Sequence, residues 1–438
     1  MTTGKDLPAG VRSRLLAAEI LERVEKGAWA GRLLAARAGD LPDSRDRALL
    51  SRLVLDTLRW QGALDHCLAP FLKHPLERLA PRARALLRLG LCQARVLELP
   101  AAVAVSTAVD AARSGGAARA AGLVNAVLRR CCRSREAALD PRLCFPPWLL
   151  ERWRRRWGAE RVDALCAALN RPARPFVVPL KSAGGAAALA ESLAEDGVDT
   201  VFSSLVPGGL EVGAGAPQLS TACRRGACVI LDPSAALVAR LAAAAPPGPT
   251  ADLAAAPGGK ASLLIDQRAG PLIALEPVAS RLRNLAANLA RRFPPEPYAV
   301  VRADALAPPL AEGSFALLLL DAPCSGTGTL RRHPDRRWRL SEGAIRRAAE
   351  LQARLLDAAA RLAAPGGVLL YAVCSIEAEE GVERIRAFLD RHPDFEALDP
   401  RPWLPEEARS LARRDPPRLE ILPLDEGDGF QAALLRRR

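Results

Sequence analysis

Histidine is scarce in this 438-residue chain, with four in all, and its ten cysteines never form a C-x-x-C pair. Cys131 and Cys132 are adjacent rather than spaced for a ligand set, so no metal site is expected. Half of the residues are hydrophobic, yet no unbroken apolar run reaches the roughly 20 residues that a bilayer span needs. A membrane protein is therefore not expected. The opening MTTGKDLPAGVRSRLL lacks the apolar core of a signal peptide. Scattered cysteines without an export signal imply reduced thiols and a cytoplasmic location. Two nucleotide signatures are missing as well. Lys260 is followed by Ala261, which excludes the G-x-x-x-x-G-K-[ST] phosphate loop, and the absence of G-x-G-x-x-G weakens the case for a dinucleotide site.

What the chain has in excess is positive charge, net +13, unevenly spread. Residues 1–180 hold 31 Lys and Arg against 17 Asp and Glu, a net +14, while the remainder stands at −1. A basic part joined to a near-neutral one points to a nucleic-acid-binding module attached to a second domain. Only five of the 62 basic residues are Lys. An Arg- and Ala-rich compositional habit explains that choice of residue but not the asymmetry.

The length suffices for two or three domains, each with its own core. Residues 11–135 read as helices, with apolar positions at helical spacing over 11–24, 47–60, 81–99 and 120–133. Asp43 and Ser44 are plausible caps for the second of these, and Pro81 suits the first turn of the third. Arg129, Arg130 and Arg133 give the last helix a cationic end, which complements its dipole and can also contact phosphate. Between Trp148 and Gly158 stand three Trp and four Arg, a mixture that either stacks on bases or packs against a neighbouring domain. Residues 171–230 read as a small α+β insert. From about residue 229 short apolar runs alternate with helical stretches. Strands are expected at 229–232, 251–255, 271–275, 298–304, 316–321 and 367–373, in a parallel sheet covered by helices.

Cys324, in LLLLDAPCSGTG, and Cys374, in LLYAVCSIE, each follow such a strand. Ligands bind at that edge of an open α/β sheet, so two thiols there suggest a nucleophile and a helper. Buried core cysteines are the plain alternative, but Asp321, Pro323 and Gly326 make this a polar turn. In DLAAAPGGKASLL (252–264), Gly258 and Gly259 let the backbone approach a ligand beside a helix N-terminus. Glu276, at the end of the next strand, can accept ribose hydroxyls, and Asp304, closing the third strand, can reach the adenine or its surroundings. The ligand that remains is S-adenosylmethionine; a tight turn without ligand is the alternative.

Asp252–Lys260, Asp321–Gly328, Arg331-Arg-His-Pro-Asp335 and Tyr371-Ala-Val-Cys-Ser375 resemble successive motifs of the RNA cytosine-5 methyltransferases. Gly122–Arg129 resembles part of a NusB-like RNA-binding bundle, and the tail Glu426-Gly-Asp-Gly-Phe430 also fits. Bundle plus methyltransferase is the arrangement of the RsmB/Sun (Fmu) family, which acts on a cytosine of small-subunit ribosomal RNA. The resemblance implies an all-α NusB-like domain over 1–142, a linker with a small α+β RNA-binding subdomain over 143–228, and a Rossmann-like class I methyltransferase domain over 229–438. It implies S-adenosylmethionine held by Ala254, Ala255, Ala256, Pro257, Gly258, Gly259, Lys260, Glu276, Asp304 and Asp321. Its partner would be RNA, 16S ribosomal RNA foremost, and the protein a monomer.

Cytosine C5 is a weak nucleophile until a thiolate adds to C6. An ordinary thiol is only about 3% thiolate at pH 7, so the site must lower that pKa or supply a base. The resemblance assigns Cys374 as nucleophile, Cys324 to product release and Asp321 to the base edge, favouring protonation at N3. Arg331, Arg332, Arg336, Arg337 and Arg339 would hold RNA near the target base, unless they are a solvated charge run. Departures from the family pattern are Ala254 for Cys, Val373 for Thr, Gly381 for Asn, Val178-Pro-Leu-Lys181 for Leu-Arg-x-Asn, and no glutamine near Asp232-Pro-Ser. The rivals are a transfer-RNA methyltransferase, a DNA cytosine-5 methyltransferase (whose nucleophile also lies in a Pro-Cys loop) and a non-catalytic antitermination factor. The DNA reading needs a target-recognition domain, which nothing in the chain resembles, and the last leaves both thiols unexplained.

Overall fold

The computed structural model describes residues 9–134, 138–268, 270–424 and 427–438. The chain divides into two compact units, Met1–Pro172 with Leu330–Arg339, and Ala173–Thr329 with Leu340–Arg438. Among the described residues no helix is long and apolar enough to cross a membrane.

The first unit is all-α: α1 (Ala9–Glu25), α2 (Ala30–Arg37), α3 (Ser44–Arg59), α4 (Gln61–Leu68), α5 (Pro81–Arg95), α6 (Ala101–Ser114), α7 (Ala121–Arg133), α8 (Pro147–Trp157) and α9 (Ala159–Leu169). Pro81 opens α5 as expected, and Asp43 caps α3 by accepting from the Arg45 N–H at 2.8 Å. From Ala83 to Gln93 only Arg84 of α5 is not buried, so this helix lies in the middle of the bundle. Gly90 is the small residue that permits it: a Cβ there would stand 2.4 Å from Leu128 of α7 and 3.2 Å from Ala108 of α6. In α8, Trp153 is buried and packs on Phe145 and Trp157 at centroid distances of 5.7 and 6.4 Å, so the ring is core material.

The Arg cluster after the Pro-Cys loop belongs to this unit, and two of its five arginines, Arg337 and Arg339, are engaged in packing contacts there. Arg337 is fully buried, with its guanidinium 4.3 Å from the Phe145 ring centroid. It donates to Arg59 O at 2.8 Å, Asn170 Oδ1 at 2.6 Å and Leu169 O at 2.6 Å. Arg339 lies over Trp29 at 4.2 Å and donates to Gly27 O at 3.0 Å, and Asp335 accepts from the Ala30 N–H at 3.0 Å. The planar fork of arginine matches several carbonyls at once, so these two charges are engaged within the helical unit.

The second unit starts with β1 (Phe176–Pro179), α10 (Ala186–Glu195), β2 (Asp199–Phe202), β3 (Leu210–Ala214), the single turn α11 (Thr221–Arg224) and β4 (Cys228–Ile230). These strands form an antiparallel sheet in the order β2-β3-β1-β4. The run 229–232, expected in the large sheet, is β4 and pairs with β1 instead. After α12 (Pro233–Arg240) come β5 (Thr250–Asp252), α13 (Gly259–Gln267), β6 (Leu272–Leu275), α14 (Ala279–Ala290), β7 (Tyr298–Val301), β8 (Phe315–Asp321), α15 (Glu342–Ala360), β9 (Ala363–Val373) and α16 (Val382–Arg391). The chain ends in β10 (Phe395–Leu398), β11 (Ala412–Arg414), β12 (Pro417–Ile421) and β13 (Phe430–Arg437).

Order in the large sheet is β11-β12-β13-β9-β8-β5-β6-β7, with β10 on β13. Strands β5 to β9 pair in parallel, and β13 lies antiparallel on β9. From β5 the chain moves outward to β7, then returns to the other flank of β5 with β8. The strand order therefore reverses between β5 and β8, and ligand crevices open at such a switch point. β8 and β9 are buried along most of their length, which is why they read as continuous apolar runs.

Candidate active site

Parallel pairing of β8 and β9 aligns Asp321 with Ala372, so the residues just beyond each strand emerge side by side. Cys324 and Cys374 are brought together there, Sγ to Sγ at 3.2 Å, both partly exposed. The loop between Asp321 and Thr329 is pinned to β9 by Ala322 N–H to Ala372 O at 2.9 Å and Gly328 N–H to Cys374 O at 3.2 Å. Gly429 N–H donates to Gly328 O at 2.9 Å, and a Cβ on Gly328 would stand 2.1 Å from Gly429 O. The glycines of the Ser-Gly-Thr-Gly run and of the tail motif thus meet backbone to backbone. Glu426 of that tail lies outside the described residues. The hydrogen bond with Cys374, burial and the charges of Glu380 and Asp321 push the Cys324 thiol well above its ordinary pKa. It is held protonated.

A buried polar network lies behind the thiols. Glu380 is fully buried and accepts from Ser325 N–H at 2.7 Å, Ser375 Oγ at 2.5 Å, Gln352 Nε2 at 3.0 Å and Ser325 Oγ. Gln352 also donates to Pro323 O at 2.9 Å. The Tyr371 hydroxyl donates to Glu380 O at 2.6 Å and Gln352 Oε1 at 3.1 Å. Gln431 on β13 donates to Ser375 O at 3.0 Å and Glu377 O at 2.8 Å. Ser325, Tyr371 and Ser375 lie within the sequence motifs, but no motif marks Gln352, Glu380 or Gln431 as a site residue. Gln352 carried a signal, being a polar residue on the apolar stripe of α15 with Ile345, Ala349 and Leu356. Glu380, inside Glu-Ala-Glu-Glu, reads as surface charge.

Ala254, Ala255, Ala256, Pro257, Gly259, Lys260 and Asp321 line one cavity of about 220 Å³, together with Asp252 and residues of β4 and α12. Gly258 caps α13 at φ +103°, a conformation that L side chains rarely adopt. Lys260 Nζ meets Asp321 Oδ2 at 2.7 Å. Burial pulls the Lys260 pKa down, but the charge and hydrogen bond of Asp321 outweigh it and the ammonium ends above its usual value. Burial, with Asp321 facing it, pushes the Asp252 carboxyl up to about 7. Glu276 and Asp304 do not line this cavity. The Glu276 carboxylate is buried, accepts from Val278 N–H at 3.0 Å and pairs with Arg281 at 3.3 Å. Asp304 is exposed and accepts from Leu306 N–H at 2.9 Å. Acids and one ammonium beside a helix N-terminus fit a ligand that carries both an ammonium and a carboxylate. Among the described residues no His, Cys, Asp and Glu group could hold a metal.

Comparison with known proteins places both units. Residues 246–436 match the family model for 16S rRNA methyltransferase RsmB/F, and residues 11–133 match the NusB family. Ribosomal RNA small subunit methyltransferase B of Thermus thermophilus is 37% identical over 428 residues, 97% of either chain. That of Xylella fastidiosa (strain Temecula1) is 36% identical over 394 residues, covering 89% of this chain and 91% of its own. The crystal structure of PH0851 shares 25% identity, covers 99% of both chains and has a TM-score of 0.79. NSun6 from Pyrococcus horikoshii shares the fold over 68% of this chain, with a TM-score of 0.57 and 17% identity. With an all-α NusB-like region followed by a Rossmann-like methyltransferase region, this chain belongs to the RsmB family of ribosomal RNA methyltransferases.

Proposed function

We propose that this enzyme methylates C5 of a cytosine in 16S ribosomal RNA through a covalent bond between Cys374 and C6. The observation that carries this reading is the pair of thiols 3.2 Å apart at the strand ends, beside the cavity lined by Asp321 and the glycine loop. Family membership implies S-adenosylmethionine as methyl donor. In this reading Ala254–Lys260 and Asp321 hold it, with Glu276 and Asp304 at its nucleoside end. Bound there, it supplies an electrophilic methyl group.

The chain's own residues prepare the base. Lys260 occupies Oδ2 of Asp321, so Oδ1 is left to hold the base edge and favour the proton at N3. The Cys374 thiolate adds to C6, and the electron pair displaced from the C5–C6 bond makes C5 nucleophilic. The Lys260 ammonium, raised in part by Cys374, lies within electrostatic range of that sulfur. After methylation C5 still carries its hydrogen. Water takes that proton, its electron pair re-forms C5=C6 and the C6–S bond breaks to release the Cys374 thiolate, while the protonated Cys324 assists release by donating a hydrogen bond to the departing sulfur. The reduced thiols that this needs suit the cytoplasm.

The test is bisulfite sequencing of total RNA from a strain lacking the gene. One unprotected cytosine in 16S RNA is expected; loss of protection in transfer RNA instead would overturn the substrate. Incubation of the protein with labelled donor and rRNA, transfer RNA or duplex DNA fragments checks the same point.

A further inference from the structure

The Glu380 carboxylate has both oxygens committed, and three of its four hydrogen bonds go to the residue that follows a cysteine. Oε1 accepts from Ser325 N–H at 2.7 Å and from Gln352 Nε2 at 3.0 Å. Oε2 accepts from Ser375 Oγ at 2.5 Å and from Ser325 Oγ. Ser325 follows Cys324, and Ser375 follows Cys374. The two serine hydroxyls are themselves 3.2 Å apart, and Thr327 Oγ1 lies 3.1 Å from Ser375 Oγ. Among the described residues no cation pairs with Glu380 at ion-pair distance; the donors are a backbone amide, hydroxyls and a side-chain amide. A buried carboxylate would be costly without such donors. Burying one here ties together two loops that start on different strands.

We infer that Glu380 is a positioning residue for methyl transfer, clamping Ser325 and Ser375 so that the Cys324 and Cys374 sulfurs stay within reach of one base. It touches neither substrate nor donor. Gln352 and Tyr371 anchor it in turn, through its carboxylate and its backbone carbonyl. Its negative charge has a second consequence, since it acts on Cys324 and helps to keep that thiol protonated. A protonated Cys324 does not compete with Cys374 as nucleophile. The inference rests on the methyltransferase reading for its kinetic part but not for its geometric part.

Geometry and catalysis are therefore measured separately on the full chain. A trivalent arsenical condenses with two neighbouring thiols, forming two As–S bonds and releasing water, without oxidation or reduction. Phenylarsine oxide should bridge Cys324 to Cys374 in the wild type, as located by peptide mapping. Glu380→Ala should lower the bridged fraction several-fold. It should also lower kcat on an rRNA fragment on the order of 100-fold, the scale of loss expected from displaced reacting groups. KM for RNA and for the methyl donor should stay within about threefold, since binding groups are untouched.

Glu380→Gln keeps one acceptor oxygen for the Ser325 amide, and its amide can donate to the serine hydroxyls. It should restore bridging and bring kcat to within about tenfold of wild type. The double variant S325A/S375A removes only the hydroxyl half of the clamp and should lose about tenfold, which provides a test if E380A fails to fold. Wild-type bridging and kcat in E380A, or in S325A/S375A where E380A does not fold, would overturn the inference. An inactive wild type that still bridges, with bridging lost in E380A, would refute the methyltransferase reading and leave the clamp standing.

Discussion

Cys324 Sγ and Cys374 Sγ stand 3.2 Å apart, although 50 residues separate them in the chain. Two sulfurs this close can act on one substrate atom, and the proposed mechanism gives them different work. Cys324 is held protonated by Cys374, burial and nearby carboxylates. Cys374→Ala should abolish methylation while cofactor affinity, measured by calorimetry, stays within about threefold, because the cavity residues are unchanged. Substantial turnover in this variant would remove Cys374 from the nucleophile role.

Cys324→Ala should leave the first half of the reaction intact and block release. A protein–RNA adduct resistant to denaturing gels is the expected product, and it should build up with added donor. Ordinary turnover with no adduct would assign release to another group.

Asp252 provides a pH test of stability. Its folded pKa, raised to about 7 by burial and Asp321, lies above the unfolded 3.8. Between these values the folded state binds the extra proton, so the contribution of this group falls as pH rises from about 4 to 7 and is flat beyond. A shift of this size corresponds to about 4 kcal/mol. Asp252→Asn cannot ionise, so thermal unfolding should show it gaining on wild type between pH 5 and pH 8. A constant difference in Tm over that range would show that Asp252 is ionised throughout.

Much of this is legible in the sequence, because strand ends next to glycine turns carry local signatures. The Asp252–Lys260 loop, both thiols and four helices of the bundle stand where periodicity and turn chemistry put them. What sequence left hidden depends on contacts distant in the chain. Glu380 reads as one more acid in Glu-Ala-Glu-Glu, and its burial follows from Ser325 and Gln352, 55 and 28 residues away. Strand β4 carries the same apolar signal whichever sheet it joins. Arg331 to Arg339 look like an RNA-binding run because charge density is visible in sequence and burial is not.

Gly381, where the family resemblance implies Asn, sits against Gln431. A Cβ there would lie 1.8 Å from Gln431 Oε1, and Gln431 is the side chain that holds Ser375 O and Glu377 O. Asn, usual at this position in the family, therefore cannot be accommodated while Gln431 keeps its place. Gly381→Asn should destabilise by about 2 kcal/mol through overpacking. Adding Gln431→Ala should recover part of that loss, a non-additivity that thermal unfolding of the four proteins would detect. Additive effects would break the link between the two positions.

Arg337 has a structural task that differs from phosphate binding. Burial lowers its pKa to about 9, so it is still charged at neutral pH while giving up hydration. Its fork serves Arg59 O, Asn170 Oδ1 and Leu169 O together. Arg337→Lys cannot reach all three and should destabilise the helical unit by about 3 kcal/mol, nearly as much as Arg337→Ala. Full stability of the Lys variant in calorimetric unfolding would mean that the charge alone suffices.

With Arg337 and Arg339 committed to packing, the exposed basic end of α7 is a further candidate for RNA contact within the charged first 180 residues. Arg129 is exposed and, among the described residues, bonds its neighbour Asn125 at 3.1 Å, and Arg133 is exposed as well. Neither is part of the helical core, so their replacement should leave folding unchanged. Each phosphate neutralised on a single strand contributes about −0.7 to the slope of log affinity against log salt. If both arginines contact phosphate, R129Q/R133Q should weaken binding of an rRNA fragment at low salt and flatten that slope by about 1.4. Donor binding should not change. A slope equal to wild type would move RNA contact to another basic face of the same unit. A slope flattened with no loss of methylation at saturating RNA would show that α7 supplies affinity and takes no part in placing the base.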